Sequence, residues 1–164
     1  MSDRYTKTHF NFETLPALKS PRHELGLTGV ALGLIRLPAG EGYTFTHSHD
    51  RQEEVYLVIE GKGEMVIDGE IVPLERGDAV RVSPSAHRAL HAAEEALLVV
   101  CAGGIPMRYP KEPGARYLID DGIPHYDEVP PWYAGDEEII SRNRTLKERM
   151  ERALARRAGR SAPE

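Results

Sequence analysis

Between Val30 and Cys101 the chain alternates short apolar runs with Gly, Pro, Asp and Glu: VALGLIRL, GYTFTHSH, EVYLVIE, GEMVID, EIVPL, DAVRV and ALLVVC. Each run is shorter than an ordinary helix and carries either a two-residue alternation or a continuous β-branched stretch, so the pattern predicts strands. Short strands at this spacing point to an all-β sandwich or barrel. The strongest turn signals are Gly61-Lys62-Gly63 and Asp68-Gly69, because glycine supplies the positive φ of tight primed turns and Asp-Gly is a favoured pair for them. The strands flanking each turn are expected to be antiparallel neighbours.

Outside this region the pattern changes. Residues 1–29 show no sustained period, mix Pro16 and Pro21 with charges, and read as an arm that is either irregular or an edge strand laid over the barrel of residues 30–104. Residues 105–136 are rich in proline and aromatics and read as an ordered coil wrapping the barrel, able to serve as a lid. Within it, Trp132 and Tyr133 follow Pro130-Pro131 and would either plug the outer sheet or close the barrel mouth. Residues 137–164 read as a helix and tail. Ile139, Ile140, Leu146, Met150 and Leu154 fall on one side, arginines fill the other, and Asp136 is the candidate N-cap. Such a stripe docks either on its own barrel or on a second subunit.

Composition narrows the partners. A chain of 164 residues suits one domain with a full core. Its 21 basic and 26 acidic residues are interspersed, giving a formal charge of -5, which argues against nucleic acid or an anionic membrane as the main partner and in favour of small molecules or proteins. No apolar run approaches the roughly 20 residues of a bilayer span, and the first residues are polar where a secretion signal is apolar. The expected location is the cytoplasm. The single cysteine, Cys101, sits in an apolar run where a small buried hydrophobe is the ordinary occupant, a thiol ligand being the alternative.

The chemistry is concentrated in GEGYTFTHSHDRQEEVYLVIEG, residues 40–61. Residues two apart on a strand share a face, so His47 and His49 project together, and two converging imidazoles suit a borderline divalent metal. An isolated histidine pair is most often a solvated turn, but the strand and glycine pattern around this one argues otherwise. Glu54 opens the next apolar run and has the right parity to complete the set, whereas Glu53 faces outward. Two His and one carboxylate with open positions suit non-haem Fe(II), with manganese, nickel or zinc as alternatives. Gln52 and Tyr56 share the parity of Glu54, where an amide and a phenol orient a ligand or a metal-bound water, a core role being the alternative for Tyr56.

The same stretch resembles the first cupin motif: a glycine, His-x-His, a short spacer, Glu, six residues, Gly. His47-x-His49, Glu54 and Gly61 match at those spacings, and the opening glycine, Gly40 or Gly42, is one place off. The resemblance covers residues 30–102 and implies a single-domain bacterial-type cupin: a double-stranded β-helix, or jelly-roll, barrel with a metal and substrate pocket inside one end, and frequent homodimers. The second cupin motif, Gly, five residues, Pro-x-Gly, two residues, His, begins at Gly77 but a strict count puts Arg88 at the histidine. With a turn one residue shorter, built on Pro84, His87 becomes the fourth metal ligand and Arg88 points out. With the strict count Arg88 and Leu90 face inward and His87 and His91 outward, and Arg88 becomes a candidate anchor for carboxylate or phosphate. His87 this close to the motif position favours listing it with the ligands. His9, His23 and His125 lie in irregular segments, where surface roles are the default.

These readings lead to a metal-dependent enzyme of oxygenase or isomerase type acting on a small organic molecule. The alternative is a non-catalytic ligand-binding or sensor protein using Arg88 as anion anchor.

Overall fold

The computed structural model describes residues 4–105 and 124–160. The chain divides into two compact units, Met1–Pro106 and Met107–Glu164. Among the described residues the strands, seven in number, lie in the first unit: β1 (Ala31–Leu37), β2 (Glu53–Glu60), β3 (Lys62–Ile67), β4 (Glu70–Glu75), β5 (Ala79–Val82), β6 (Arg88–Ala92) and β7 (Leu97–Gly104). They form a four-stranded sheet in the order β1-β7-β2-β5 and a three-stranded sheet in the order β4-β3-β6, with antiparallel pairing throughout. The core lies between the sheets, where Ile35, Val58, Val82 and Val99 of the first meet Met65, Leu74 and Leu90 of the second. Among the described residues no named ladder joins the two sheets, so what stands is a mostly β architecture of two packed sheets.

Two turns show how local sequence sets this topology. Asp68 and Gly69 have φ of 48° and 89° and join β3 to β4, the paired positive dihedrals that a primed hairpin turn requires. Gly61 joins β2 to β3 at φ 82°, and a Cβ there would lie 2.1 Å from the carbonyl oxygen of Ala96. Glycine is therefore required twice over at that corner, by dihedral and by space.

Two expectations about strands need correction. The run GYTFTHSH is not a strand; it makes isolated antiparallel bridges from Gly42 to His91 and from His47 to Arg88, which lay residues 42–47 beside β6. The short polar run RALHA, which carried no separate strand signal, is β6, buried at Arg88, Leu90 and Ala92. The arm before β1 contains a short helix, α1 (Arg22–Leu25), and touches β1 through mutual backbone hydrogen bonds of 2.8 Å between Lys19 and Leu34. It thus combines the irregular and the edge-strand readings. Glu13 of the arm also reaches Arg36 of β1 at 3.2 Å.

The second unit contains α2 (Glu137–Arg160). Asp136 caps it as expected: its Oδ1 accepts from the backbone N–H groups of Glu138 at 3.0 Å and Ile139 at 3.1 Å. The stripe residues Ile139, Ile140, Leu146 and Met150 are half-buried, Leu154 is exposed, and Lys147 pairs with Asp127 at 2.5 Å. The expected wrapping coil falls largely outside the described residues. Trp132 lies on a 3-10 turn and is 76% exposed. No described helix is long and apolar enough to cross a membrane.

Candidate metal centre

Strand alternation in β2 turns Glu54, Tyr56 and Val58 inward and Val55 and Leu57 outward. Glu53, of the opposite parity, pairs at the surface with Arg81 at 2.7 Å. His47 and His49 reach the same interior from an irregular segment that the backbone pins in place. His47 exchanges two 3.0 Å hydrogen bonds with Arg88, and the N–H of His49 donates to the carbonyl of Pro84 at 2.8 Å. Their rings stand edge to face, centroids 5.5 Å apart. One donor atom from each of His47, His49 and Glu54 falls within 4.8 Å of the others, and this is the one such metal-capable group among the described residues.

Glu54 is only 8% exposed, and both its oxygens are occupied. Oε2 accepts from the Tyr56 hydroxyl at 2.6 Å and from Nη2 of Arg88 at 2.5 Å; Oε1 accepts from the Gln52 amide at 3.2 Å. Burial opposes ionisation of this carboxyl, but the hydrogen bonds from Arg88 and Tyr56 outweigh it and hold the pKa down to about 2. Burial, seconded by the Arg88 charge, lowers the pKa of His47 against the opposing pull of Glu54, favouring the neutral imidazole that a metal requires. Burial and donation to Glu54 push the Tyr56 phenol far above its usual range, so it remains a hydrogen-bond donor.

Nε2 of His49 provides the test of whether an ion fits. It is buried and makes no hydrogen bond of acceptable geometry, although Glu54 Oε1 stands 3.1 Å away, a contact that is an ion pair only with a protonated imidazole. An orphaned buried ring nitrogen costs on the order of 1–3 kcal/mol unless something satisfies it. A divalent cation held by His47, His49 and Glu54 would do so, with an N,N,O donor set suited to a first-row metal. The residues therefore fit the group that the spacing predicts.

The second-motif question is answered by geometry. Arg88 points inward and is 1% exposed, whereas His87, immediately before β6, is exposed and stands outside the metal-capable group. The expectation of His87 as fourth ligand is corrected accordingly. Its backbone is clamped by the β3–β4 turn: His87 N–H donates to Asp68 Oδ1 at 2.9 Å, and its carbonyl accepts from Asp68 N–H at 2.8 Å. That clamp sets the register which turns Arg88 in. Nor is Arg88 free to anchor an anion. Besides Glu54, its guanidinium donates to Tyr56 at 3.4 Å and to the carbonyls of Pro84 at 3.1 Å and Ala86 at 2.9 Å.

A cavity of about 400 Å³ opens onto the cluster. Its walls come from the arm (Leu18, Ser20), from β1 (Ala31, Leu32, Gly33, Ile35), from Tyr43 and Phe45, and from Cys101 and Gly103 of β7. Sequence reasoning missed Tyr43, Phe45 and the arm as walls. Cys101 is the buried small residue it anticipated, and it also lines the cavity opposite Tyr56, its register partner. Burial, reinforced by Glu54, raises its thiol to about 12, so this wall is uncharged. Gly103 has a spatial reason: a Cβ there would approach the Gln52 amide nitrogen to 2.4 Å, so glycine leaves room for the amide that steadies Glu54.

The fold and cluster can be set beside known proteins. The chain is 30% identical over 64 residues to an uncharacterized protein of Methanocaldococcus jannaschii, covering 38% of this chain; it thus spans about half (51%) of the length of that curated relative. A cupin protein of known structure from Bacteroides fragilis is 31% identical, with a TM-score of 0.64 over 74% of this chain and 98% of that one. The cupin domain family model matches residues 33–103, the stretch that runs from β1 to β7 and contains His47, His49 and Glu54. With nearly the whole length of a cupin shared and the metal-capable residues inside the matched stretch, the chain belongs to the cupin family.

Proposed function

We propose that this protein is a metal-dependent cupin enzyme, of oxygenase or isomerase type, which holds one divalent ion on His47, His49 and Glu54 and acts on a small organic molecule in the adjoining cavity. The observation that carries the reading is the orphaned Nε2 of His49 facing a carboxylate whose other oxygen is already committed to Arg88 and Tyr56. When bound, the ion supplies a Lewis acid or an oxygen-binding centre, and two His with one carboxylate favour Fe(II) over manganese, nickel or zinc. Gln52, Tyr56 and Arg88 then act on Glu54 by fixing its orientation and keeping it ionised. In this reading the two sheets belong to a jelly-roll barrel, and the protein works as a cytoplasmic homodimer. The competing sensor reading, with Arg88 as an anion anchor, loses support because Arg88 is buried and four of its five N–H donors are engaged by Glu54, Tyr56, Pro84 and Ala86.

Protein purified without chelator or nickel resin should contain about one metal per chain by elemental analysis, falling to background in the His47→Ala/His49→Ala variant. Equal content in both would remove the site.

A further inference from the structure

The charge inventory of the cavity constrains what enters it. Among the described residues that line it there is no Lys or Arg, and its only carboxylate is Glu54. Arg88 lies behind Glu54 and offsets its charge through a buried ion pair. A divalent ion on the cluster would therefore leave a positive centre at one end of an otherwise uncharged chamber, attracting a single anionic head group. Leu18, Leu32, Ile35 and Phe45 offer the rest of the ligand only apolar surface. Beyond the cluster, the polar side chains on the wall are Ser20, Tyr43 and Tyr56; the Tyr56 hydroxyl is committed to Glu54, and the Tyr43 hydroxyl has no hydrogen-bond partner among the described residues.

We propose that the cavity takes a small molecule with one coordinating anionic head, such as a carboxylate or enolate, and an apolar body, and that it rejects polyacids, polyols and phosphorylated sugars. Such polar bodies would set hydroxyls or second charges against buried Ile35 and half-buried Leu32, where an unpaired polar group costs more than a methylene gains, whereas Leu18 and Phe45 are themselves largely exposed. The head-group half of this inference rests on the proposed metal site; the apolar-body half rests on the cavity walls alone.

The test titrates acetate, butanoate, hexanoate, malonate and glucose 6-phosphate into the full chain, once stripped of metal and once loaded with Co(II). Calorimetry reads affinity, and the cobalt visible spectrum reads head-group coordination. Affinity should rise up to about fourfold per added CH₂, on the order of a hundredfold from acetate to hexanoate. The slope should persist, at weaker absolute affinity, without metal. Leu18→Asp changes an exposed wall residue and should flatten the slope without unfolding the chain. A flat series, or malonate or glucose 6-phosphate binding tighter than hexanoate, overturns the ligand class even if cobalt binds normally. Failure to bind cobalt with the slope retained removes the metal reading and leaves the apolar body standing.

Discussion

At the scale of single residues, the site depends on how Glu54 is held. Its two oxygens accept from Gln52, Tyr56 and Arg88, so its orientation is set by the protein and not by an incoming ion. Breaking a buried ion pair from one side leaves an uncompensated charge. Arg88→Met should therefore lower unfolding free energy by about 3–5 kcal/mol, and the Arg88→Met/Glu54→Gln double variant should recover much of that loss, as measured by urea denaturation. The depressed pKa of Glu54 has a pH signature in metal-free protein. Its contribution is complete above the unfolded-state pKa of about 4.3 and is lost as pH falls from there toward about 2, an effect on the order of 3 kcal/mol. Urea midpoints between pH 5 and 3 should fall more steeply in wild type than in the double variant. For metal binding, His49→Ala should weaken affinity at least tenfold while His87→Ala leaves it unchanged, because only the former lies in the cluster. The grouping of His47, His49 and Glu54 was legible from their spacing and, for Glu54, from strand parity. The choice between His87 and Arg88 was not, since it is set by Asp68, nineteen positions away, gripping the His87 backbone.

At the scale of elements, alternation identified β2 correctly and placed Tyr56 beside Glu54 on the inner face. The histidine segment was misread as a strand because His-x-His has the right period, yet only isolated bridges at Gly42 and His47 tie it to β6. Conversely β6 was hidden because two of its five residues are Arg and His, and its burial comes from partners on β3 that sequence does not bring near. The two glycine corners give a ranked prediction. Gly69→Ala meets only an unfavourable dihedral and should cost about 1 kcal/mol. Gly61→Ala adds a 2.1 Å collision with the Ala96 carbonyl and should cost clearly more. Thermal denaturation of the two variants in parallel checks the order, and equal losses would mean that the β2–β3 corner relaxes freely.

At the scale of the whole molecule, the expected homodimer has two apolar surfaces available to support it. Val55 and Leu57 leave the outer face of β2 exposed, and the α2 stripe ends at an exposed Leu154. Light scattering of the full chain should give twice 18.3 kDa. A chain ending at Gly135 should return to the monomer mass if α2 makes the contact and keep the doubled mass if the sheet does.

The wall contributed by Leu18 and Ser20 has a consequence for how such proteins diverge. The histidines, the glutamate and the arginine that hold it in place all come from residues 47–88, whereas part of the chamber is closed by a segment that precedes β1 and is tied to it by the Lys19–Leu34 pair. Substitutions or length changes in that leading segment can reshape the chamber without disturbing the donors. Descendants of one ancestral cupin can therefore change what the chamber admits while inheriting the same donor set unchanged.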